Sequence, residues 1–377
     1  MKDLASGHVY KFWDHNSEQF SQHCFDFEKT LFVCHYATAE VSYFLARLLG
    51  RPPFIFDTWT EYAKLYKNRR HTLSLIGAAT AYGSQNLISE EEKDRFRDMC
   101  ITQNTWTKED QNQILDYCLN DVLMGEDVFL GVCKDLETIC GNDYEILLEQ
   151  AMARGQAMAC FAKMQRNGIP VDNKAITEFN AYWPEVKDSV VQRFNKELNL
   201  WDENSKFSNE KFNNLIRRLD LTSEWPRTPK GKLKTNSSTL ELYEDVFPEI
   251  KSYKQIKNLL DSAKLATYEV SEDGRYRPMN GFKPFATHTS RCGPSSKWIF
   301  GAAKWGRNFM QPSFGNVLVY LDYKSEEPFI AARLSGDKNL EASYQTRDIY
   351  LATAKLAKII PQDAKREDYE DVREAFK

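Results

Sequence analysis

Short apolar runs alternate with amphipathic stretches along the first part of the chain. The runs TLFVCHY (residues 30–36) and PFIFD (residues 53–57) are rich in β-branched and aromatic residues, which is typical of strands. Each run is followed by a stretch with apolar residues at helical spacing, AEVSYFLARLLG and TWTEYAKLY. A longer helical stretch begins after Thr107, a residue type that caps helices. The alternation predicts an α/β domain over residues 1–143.

From residue 144 onward the pattern becomes mainly helical. Residues 145–172 and 174–198 have apolar residues at helical spacing, and so does the stretch YKQIKNLLDSAKLATYEV. Residues 201–236 are polar, and RTPKGKLKTNSS is their most loop-like part. We therefore predict a helical domain over residues 144–265, followed by a third domain over residues 266–377.

The third domain contains an apolar run that ends on an acid. The residues VLVYL (317–321) predict a buried strand, and Asp322 follows them directly. Glu326 and Glu327 then open a helical stretch that closes with Ser-Gly-Asp. A carboxylate at the end of a buried strand can hold a metal ion rigidly. A helix cap and a solvated strand end are the alternatives.

The segment before this run, FATHTSRCGPSSKWIFGAAKWGRNFMQP, interleaves cations with aromatic rings. The cations are Arg291, Lys297, Lys304 and Arg307, and the rings are Trp298, Phe300, Trp305 and Phe309. Cations contact phosphate oxygens and flat rings stack on bases, so the segment fits nucleic acid. An ordinary basic loop with its rings in the core is the alternative.

Composition narrows the class of protein. The net formal charge of −4 provides no global basic field, so nucleic acid would be bound through local patches. The eight cysteines form no CxxC pair and no Cys/His cluster, which indicates reduced thiols. The sequence shows no signal peptide, and no apolar run approaches the roughly 18 residues of a membrane span. We expect a cytoplasmic protein, in a bacterial host if it is phage-encoded.

The order of these features resembles the palm and early fingers of DNA polymerase I-type (family A) DNA polymerases, most closely a phage and prophage branch. THTSRCGPSS is similar to the family's Thr-x-x-Gly-Arg motif, with Ser290 in place of glycine. DYKSEEPFIAARLSGD is similar to motif A, and REAFK to the opening Arg-x-x-x-Lys of motif B. LLDSAKLATY is similar to the segment that closes the thumb. Lys324, Ser325 and Glu326 depart from the usual motif A residues.

The resemblance implies a polymerase role for each matching residue. Asp322 would be catalytic and would hold Mg²⁺, with Mn²⁺ as a substitute. Glu327 would pack near the incoming sugar, Tyr323 would also bind the nucleotide, and Arg373 and Lys377 would bind the triphosphate. The residues expected to contact primer–template DNA are Arg291, Ser296, Lys297, Lys304 and Arg307, with Lys254 and Lys257 in the thumb.

The resemblance also implies that residues 1–143 form a ribonuclease H-like 3′–5′ exonuclease domain. YCLND places Tyr117 and Asp121 at the spacing of the third exonuclease motif, where they share one helical face. VCHYATAEVSYFL is similar to the second motif, with Glu40 in place of aspartate and Tyr36 in place of asparagine. Asp57 fits a further acidic position. We therefore expect Glu40, Tyr117 and Asp121 to be catalytic, and Glu40, Asp57 and Asp121 to bind metal.

Two family motifs are not found in the sequence, the Asp-x-Glu of the exonuclease and the later His-Asp of the polymerase. SGHVYKFW resembles the second strand of the exonuclease sheet, and the sequence ends within motif B. We expect both active sites to be incomplete, this chain alone to be inactive, and the exonuclease to be vestigial. The expected partners are primer–template DNA, deoxynucleoside triphosphates and a second polypeptide. A stand-alone 3′–5′ exonuclease and a non-catalytic DNA-binding or assembly subunit are the alternative functions.

Overall fold

The computed structural model describes residues 1–13, 26–66, 72–228, 231–262, 270–278, 281–287, 289–295 and 304–375. The chain divides into two compact units, Met1–Ser313 and Phe314–Lys377. Helices dominate the described residues of both units, and short strands accompany them in the first. The predicted mixture of helices and strands is confirmed. The ribonuclease H-like arrangement stays a prediction, because the described strands form only two-stranded sheets.

The first unit begins with a parallel strand pair. Strand β1 (Leu31–Cys34) pairs with β2 (Phe54–Asp57), and Cys34 lies opposite Asp57. Parallel strands need a crossover connection, which helix α1 (Thr38–Ala46) provides. Helix α2 (Thr58–Tyr66) follows β2 directly. The predicted alternation of strand and helix is confirmed here.

The strand predicted for SGHVYKFW is wrong. Within it only Val9 makes a β-bridge, and its partner is Lys2 rather than β1. The Asp3 N–H donates to the His8 carbonyl at 2.9 Å, and the Gly7 N–H donates to the Asp3 carbonyl at 2.8 Å. The backbone N–H and carbonyl groups of these residues therefore hydrogen-bond to one another in a tight turn, and the segment does not extend along the sheet.

Four helices complete the N-terminal part of the first unit. They are α3 (Leu75–Ala81), α4 (Glu90–Thr102), α5 (Lys108–Cys140) and α6 (Tyr144–Asn167). Thr107 caps α5 as predicted, in a reciprocal capping box with Asp110. Helix α6 lies directly on β2 at Gly155, where a Cβ atom would lie 2.0 Å from the Ile55 carbonyl oxygen. Any larger residue would therefore separate the helix from the sheet.

A second core lies among helices later in the first unit. They are α7 (Asn173–Leu198), α8 (Asn209–Arg218), α9 (Ser237–Glu241) and α10 (Pro248–Ser262). Helix α8 lies within the polar residues 201–236, where the sequence pattern predicted no helix, and Trp201 and Trp225 are buried there. Phe212, Leu215 and Ile216 of α8 share one apolar face, and burial of that face stabilises the helix despite its polar remainder.

Helix α7 joins two cores and contains a proline between them. Near its start, Ile176 packs in a small cluster with Ile169, Tyr276 and Met310. Near its end, Val191 and Leu198 pack in the core formed with α8 and α10. Pro184 lies between these contacts and lacks the N–H group that would donate to the helix carbonyl four residues earlier.

Two short antiparallel strand pairs close the first unit. Strand β3 (Ile169–Pro170) pairs with β4 (Arg275–Tyr276), and β5 (Phe282–Lys283) pairs with β6 (Gly293–Pro294). A 3₁₀ turn follows at Trp305–Phe309. Since β3 precedes α7, the β3–β4 pair connects segments that were predicted to lie in different domains. The predicted boundaries after residues 143 and 265 do not separate the compact units, and the three-domain division stays a prediction.

The second unit consists of short helices around a small core. They are α11 (Glu326–Ser335), α12 (Lys338–Gln345), α13 (Ile349–Leu356) and α14 (Glu370–Ala375). Asp337 caps α12, accepting hydrogen bonds from the Asn339 and Leu340 N–H groups at 2.8 and 3.1 Å. Ala354, Ile360 and Ala364 form the buried core of this unit.

The buried strand predicted at residues 317–321 is wrong. These residues form no strand, and each side chain is 59–87% exposed. Within the described residues no other strand pairs with them. An extended segment forms a stable strand only where a neighbour accepts its backbone hydrogen bonds and covers its side chains.

Two expectations drawn from composition can be compared with the structure. The seven cysteines that the structure describes are all free. Across the described ranges, no helix has both the length and the apolar character needed to cross a membrane.

Candidate functional site

Asp322 is exposed on an extended stretch just before α11. Ser325 adopts a left-handed conformation with φ 49° and turns the chain into that helix. The Tyr344 hydroxyl of α12 donates to the Lys324 carbonyl at 3.2 Å, so α12 anchors the residues that follow Asp322. Tyr323 is exposed beside Asp322, and Glu327 lies in the first turn of α11. The carboxylate of Asp322 is therefore accessible, although no strand end holds it.

Arg373, the predicted triphosphate ligand, is engaged by carboxylates. Its Nε donates to Asp348 Oδ2 at 2.9 Å, and its Nη1 donates to Glu374 Oε1 at 2.8 Å. The guanidinium also lies over the Tyr350 ring, 5.6 Å from its centroid. Asp348 caps α13, so the ion pair ties α14 to the start of that helix. A bound phosphate would have to displace these carboxylates. Lys377 lies outside the described residues.

The described residues do not fit a complete Mg²⁺ site. Within this part of the chain, no three His, Cys, Asp or Glu side chains lie close enough together to hold a metal ion. Hard cations such as Mg²⁺ need several oxygen ligands in fixed geometry. Asp322 alone does not supply them.

Asp57 and Glu40 form a buried acidic pair next to β1 and β2. Asp57 is 1% exposed, and its two oxygens accept hydrogen bonds from the Ala37 and Thr60 N–H groups, both at 2.6 Å. Burial raises the pKa of Asp57, and these two N–H groups act against that rise. Burial also raises the pKa of Glu40 to about 7, to which the Asp57 charge contributes. Glu40 Oε2 accepts no hydrogen bond from the described residues.

Tyr117 and Asp121 lie on one face of α5, as their spacing predicts, and they interact electrostatically. Burial raises the pKa of Asp121, whereas the Tyr117 hydroxyl and Lys93 lower it. Burial and the Asp121 charge raise the pKa of Tyr117. The Tyr117 ring packs on Phe96 of α4, 5.0 Å between centroids.

The metal site predicted from Glu40, Asp57 and Asp121 stays a prediction, because the described residues bring no three potential ligands together. Asp57 acts as a helix cap for α2, since it precedes Thr58 and accepts from the Thr60 N–H. Asp121 interacts with Tyr117 and Lys93 instead of the other two acids. No group of three potential ligands forms among the residues that the structure describes.

The predicted DNA contacts are exposed where the structure describes them. Arg291 lies in a loop closed by its own N–H, which donates to Thr287 Oγ1 at 2.8 Å. Ser290 has φ 59°, a left-handed conformation that explains why glycine is usual at this position of the motif. Lys304 and Arg307 are exposed at the 3₁₀ turn. Ser296 and Lys297 lie outside the described residues.

The rings of this basic segment serve a structural role where they are described. Trp305 and Phe309 both pack on Phe179 of α7, at 5.4 and 5.6 Å between centroids. The alternative interpretation, in which the aromatic residues belong to the protein core, thus holds for these two rings.

The two thumb lysines are already paired with acids. Lys254 lies 3.1 Å from Glu241 and 2.8 Å from Glu244, and Lys257 lies 2.5 Å from Asp261. Contact between these lysines and DNA would require them to exchange these partners.

The sequence reasoning missed an ion pair that holds the N-terminal part together. Arg154 of α6 donates to Glu61 of α2 through Nε at 2.6 Å and Nη2 at 2.8 Å. Glu61 has a side chain that is 0% exposed. The paired residues are far apart in the sequence, and no local pattern signals the contact.

Comparison with known proteins found a similar DNA polymerase. DNA polymerase I of Aquifex aeolicus (strain VF5) is 26% identical to it over 258 residues, which cover 64% of this chain and 43% of the relative. The family A resemblance found in the motifs is confirmed, whereas the phage branch stays a prediction.

A solved structure has a similar fold. The POL domain of Pol1 from M. smegmatis, solved in complex with DNA primer-template and dNTP, matches 91% of this chain with a TM-score of 0.53 and 15% identity. The match covers 56% of that solved chain, so this chain spans about half the length of either similar protein. No family model matches the sequence.

Proposed function

We propose that this chain is part of a DNA-directed DNA polymerase, which adds deoxynucleotides to a primer 3′ end under the direction of a template. The 26% identity to DNA polymerase I over 258 residues carries the proposal. Primer–template DNA and deoxynucleoside triphosphates are the proposed partners, because the solved relative is described as a complex with both. The expected cytoplasmic location follows from the same role.

Asp322 is the residue proposed to act at the reacting phosphates. Its exposure on the stretch before α11 supports this role, since a catalytic carboxylate must be reachable by nucleotide. Exposed Arg291, Lys304 and Arg307 are proposed to contact DNA phosphates, which are the main contacts in protein–DNA interfaces. Mg²⁺ or Mn²⁺ remains an expectation from the family, because the described residues supply no complete metal site.

Primer extension by the natural gene product that contains this chain tests the role of Asp322. We expect Asp322→Asn to reduce extension by about a hundredfold or more, the usual effect of removing a charge that acts in the transition state. Asp363→Asn is the matched control, because Asp363 is also exposed and also loses one charge. Extension that is equal in the Asp322 and Asp363 variants would contradict the proposal.

A non-catalytic DNA-binding or assembly subunit is the second candidate function. The engagement of Arg373 by Asp348 and Glu374 favours it, because the proposed triphosphate ligand is already neutralised. Binding of primer–template DNA without extension by any protein that contains this chain would support this candidate.

DNA binding should weaken with salt in either case, and loss of one phosphate contact should reduce the slope of log affinity against log salt by roughly one. A second polypeptide as partner belongs to this candidate.

The exonuclease is proposed to be vestigial. Asp57 is occupied as a helix cap, and Asp121 interacts with residues other than Asp57 and Glu40. Incubation with single-stranded DNA in Mg²⁺ or Mn²⁺ tests this proposal. Rapid degradation that Asp121→Ala abolishes would contradict it and would favour a working exonuclease.

A further inference from the structure

An open basic cavity lies in the first unit. Its volume is about 770 Å³, within the range typical of ligand-binding pockets. Its described lining consists of Ser42 from α1, Arg166 and Asn167 from the end of α6, and Arg275 and Arg277 at β4. Three of these five residues are arginines, and none of the five is acidic.

Two of the arginines are fixed by the end of helix α6. Arg275 Nη1 donates to the Asn167 carbonyl at 3.1 Å and the Gly168 carbonyl at 3.3 Å, and Arg277 Nε donates to the Arg166 carbonyl at 2.7 Å. Each guanidinium has five N–H donors in a planar fork, so further donors remain after these bonds. Backbone anchoring therefore orients the two side chains before any ligand arrives.

Gly168 allows this close approach. It has φ 66°, and a Cβ atom there would lie 2.7 Å from Arg277 Cγ and 2.8 Å from the Tyr276 carbonyl oxygen. Glycine alone adopts this conformation without strain and leaves room for β4 against the helix end.

The charge of the cavity is only partly compensated. Arg277 is paired with Asp273, whose pKa it lowers to about 2 through their hydrogen bonds. Arg166 and Arg275 take part in no ion pair within the described residues. Lys163, which is exposed one helical turn before Arg166, adds a further positive charge near the cavity.

We propose that this cavity binds phosphate groups of a DNA strand, as a contact site additional to the motif A region. Planar guanidinium groups match the oxygens of a phosphate and can bind it through paired hydrogen bonds. The volume is large enough for more than one phosphate with its sugar. The choice of DNA as the source of the phosphate rests on the proposed polymerase function, whereas the anion site itself rests on the arginines.

Arg166→Gln tests the site with little risk to folding, because the Arg166 side chain is exposed and makes no ion pair in the described structure. We expect the affinity for a fluorescent oligothymidylate to fall about tenfold, as for loss of a charged hydrogen bond. The slope of log affinity against log salt should decrease by about 0.7. Arg218→Gln is the matched control, since it removes the same charge from an exposed position on α8. Arg166→Lys should restore most of the salt dependence.

Inorganic tripolyphosphate, titrated by calorimetry, distinguishes a DNA strand from a free anion. An effect of Arg166→Gln on tripolyphosphate alone would overturn the assignment to DNA. Equal oligothymidylate affinity for wild type, Arg166→Gln and Arg218→Gln would overturn the site altogether. The oligothymidylate assay requires no primer extension, so a failure of the polymerase proposal can be told apart from a failure of this one.

Discussion

Two apolar runs that end on an aspartate, residues 53–57 and 317–322, have the same sequence pattern and different structures. The first forms β2, which pairs with β1 and is covered by α6, and its Asp57 is 1% exposed. The second forms no strand, and Leu321 before its aspartate is 87% exposed. A run of apolar residues thus indicates a capacity for burial, whereas a neighbouring strand and a covering helix decide whether burial occurs.

The two aspartates differ in what their oxygens can do. Asp57 already accepts hydrogen bonds from two backbone N–H groups, which commits it to holding the chain together. Asp322 is exposed and accessible to a ligand. The carboxylate with the more ordered surroundings is therefore the structural one, and the proposed catalytic one has fewer supporting contacts.

The largest predicted difference between the two runs concerns their apolar side chains. Phe56→Ala should lower the free energy of unfolding by about 4 kcal/mol, because Phe56 is fully buried and its loss leaves a cavity. Leu318→Ala should change it by less than about 0.5 kcal/mol, since Leu318 is 59% exposed. Urea denaturation followed by circular dichroism measures both. Equal losses would mean that residues 317–321 are buried in solution.

Ion pairs should contribute differently to the stability of the first and the second unit. Arg154→Ala should destabilise the first unit by about 3 kcal/mol, because it leaves the fully buried carboxylate of Glu61 without its partner. Arg333→Ala is the matched control in the second unit, where the pair with Glu341 is exposed and should contribute less than about 0.5 kcal/mol. Similar effects in the two urea titrations would contradict the assignment of Glu61 as buried.

The buried acid near β2 predicts a dependence on pH. Burial raises the pKa of Glu40 from 4.5 to about 7, so the folded protein binds more protons than the unfolded chain between these values. The free energy of unfolding should therefore fall as pH rises from 4.5 to about 7, by about 2 kcal/mol after allowance for partial solvent screening. Glu40→Gln has no carboxyl group to ionise at this position and therefore lacks this pH-dependent loss of stability. Its free energy of unfolding relative to that of wild type should increase between pH 4.5 and about 7.

His35 provides a check on this measurement. Burial lowers the pKa of His35 to about 4, so its contribution to stability rises with pH between about 4 and 6.5. That contribution is present in wild type and in Glu40→Gln, and it cancels when the two unfolding curves are subtracted. A difference that stays constant with pH would show that Glu40 is ionised normally in the folded protein.

The smallest predicted difference separates the two aspartates themselves. Asp57→Ala should cost about 1 kcal/mol, because the Ala37 and Thr60 N–H groups lose their acceptor while the unfavourable burial of a carboxylate is relieved. Asp322→Ala should leave stability unchanged within error. If Asp322→Ala were the more destabilising variant, Asp322 would have a structural role that its exposure does not suggest.

Local sequence rules predicted the elements whose causes are local. The cap at Thr107, the shared helical face of Tyr117 and Asp121, and the strands β1 and β2 each follow from a few neighbouring residues. Helix α8 was missed because its apolar face of three residues lies within a polar segment, and its stability comes from packing against α7 and α10.

The candidate sites were less predictable because they depend on contacts between distant residues. The arginines at the end of α6 and at β4 meet only when β3 pairs with β4. The carboxylates of Asp348 and Glu374 neutralise Arg373 through a contact that spacing does not reveal. Family resemblance indicated which residues have chemical roles, but it did not indicate the present partners of these side chains.

Pro184 makes the middle of helix α7 easier to bend. Both ends of the helix are packed into a core, the first into the cluster at Ile176 and the second into the core at Val191 and Leu198. The missing backbone hydrogen bond at Pro184 removes one of the interactions that resist bending in the middle of the helix. A load applied to either core should therefore flex α7 at this point before it disturbs the packing at its ends. We therefore expect the most easily bent point of the first unit to lie inside a continuous helix, whereas such points usually lie in loops.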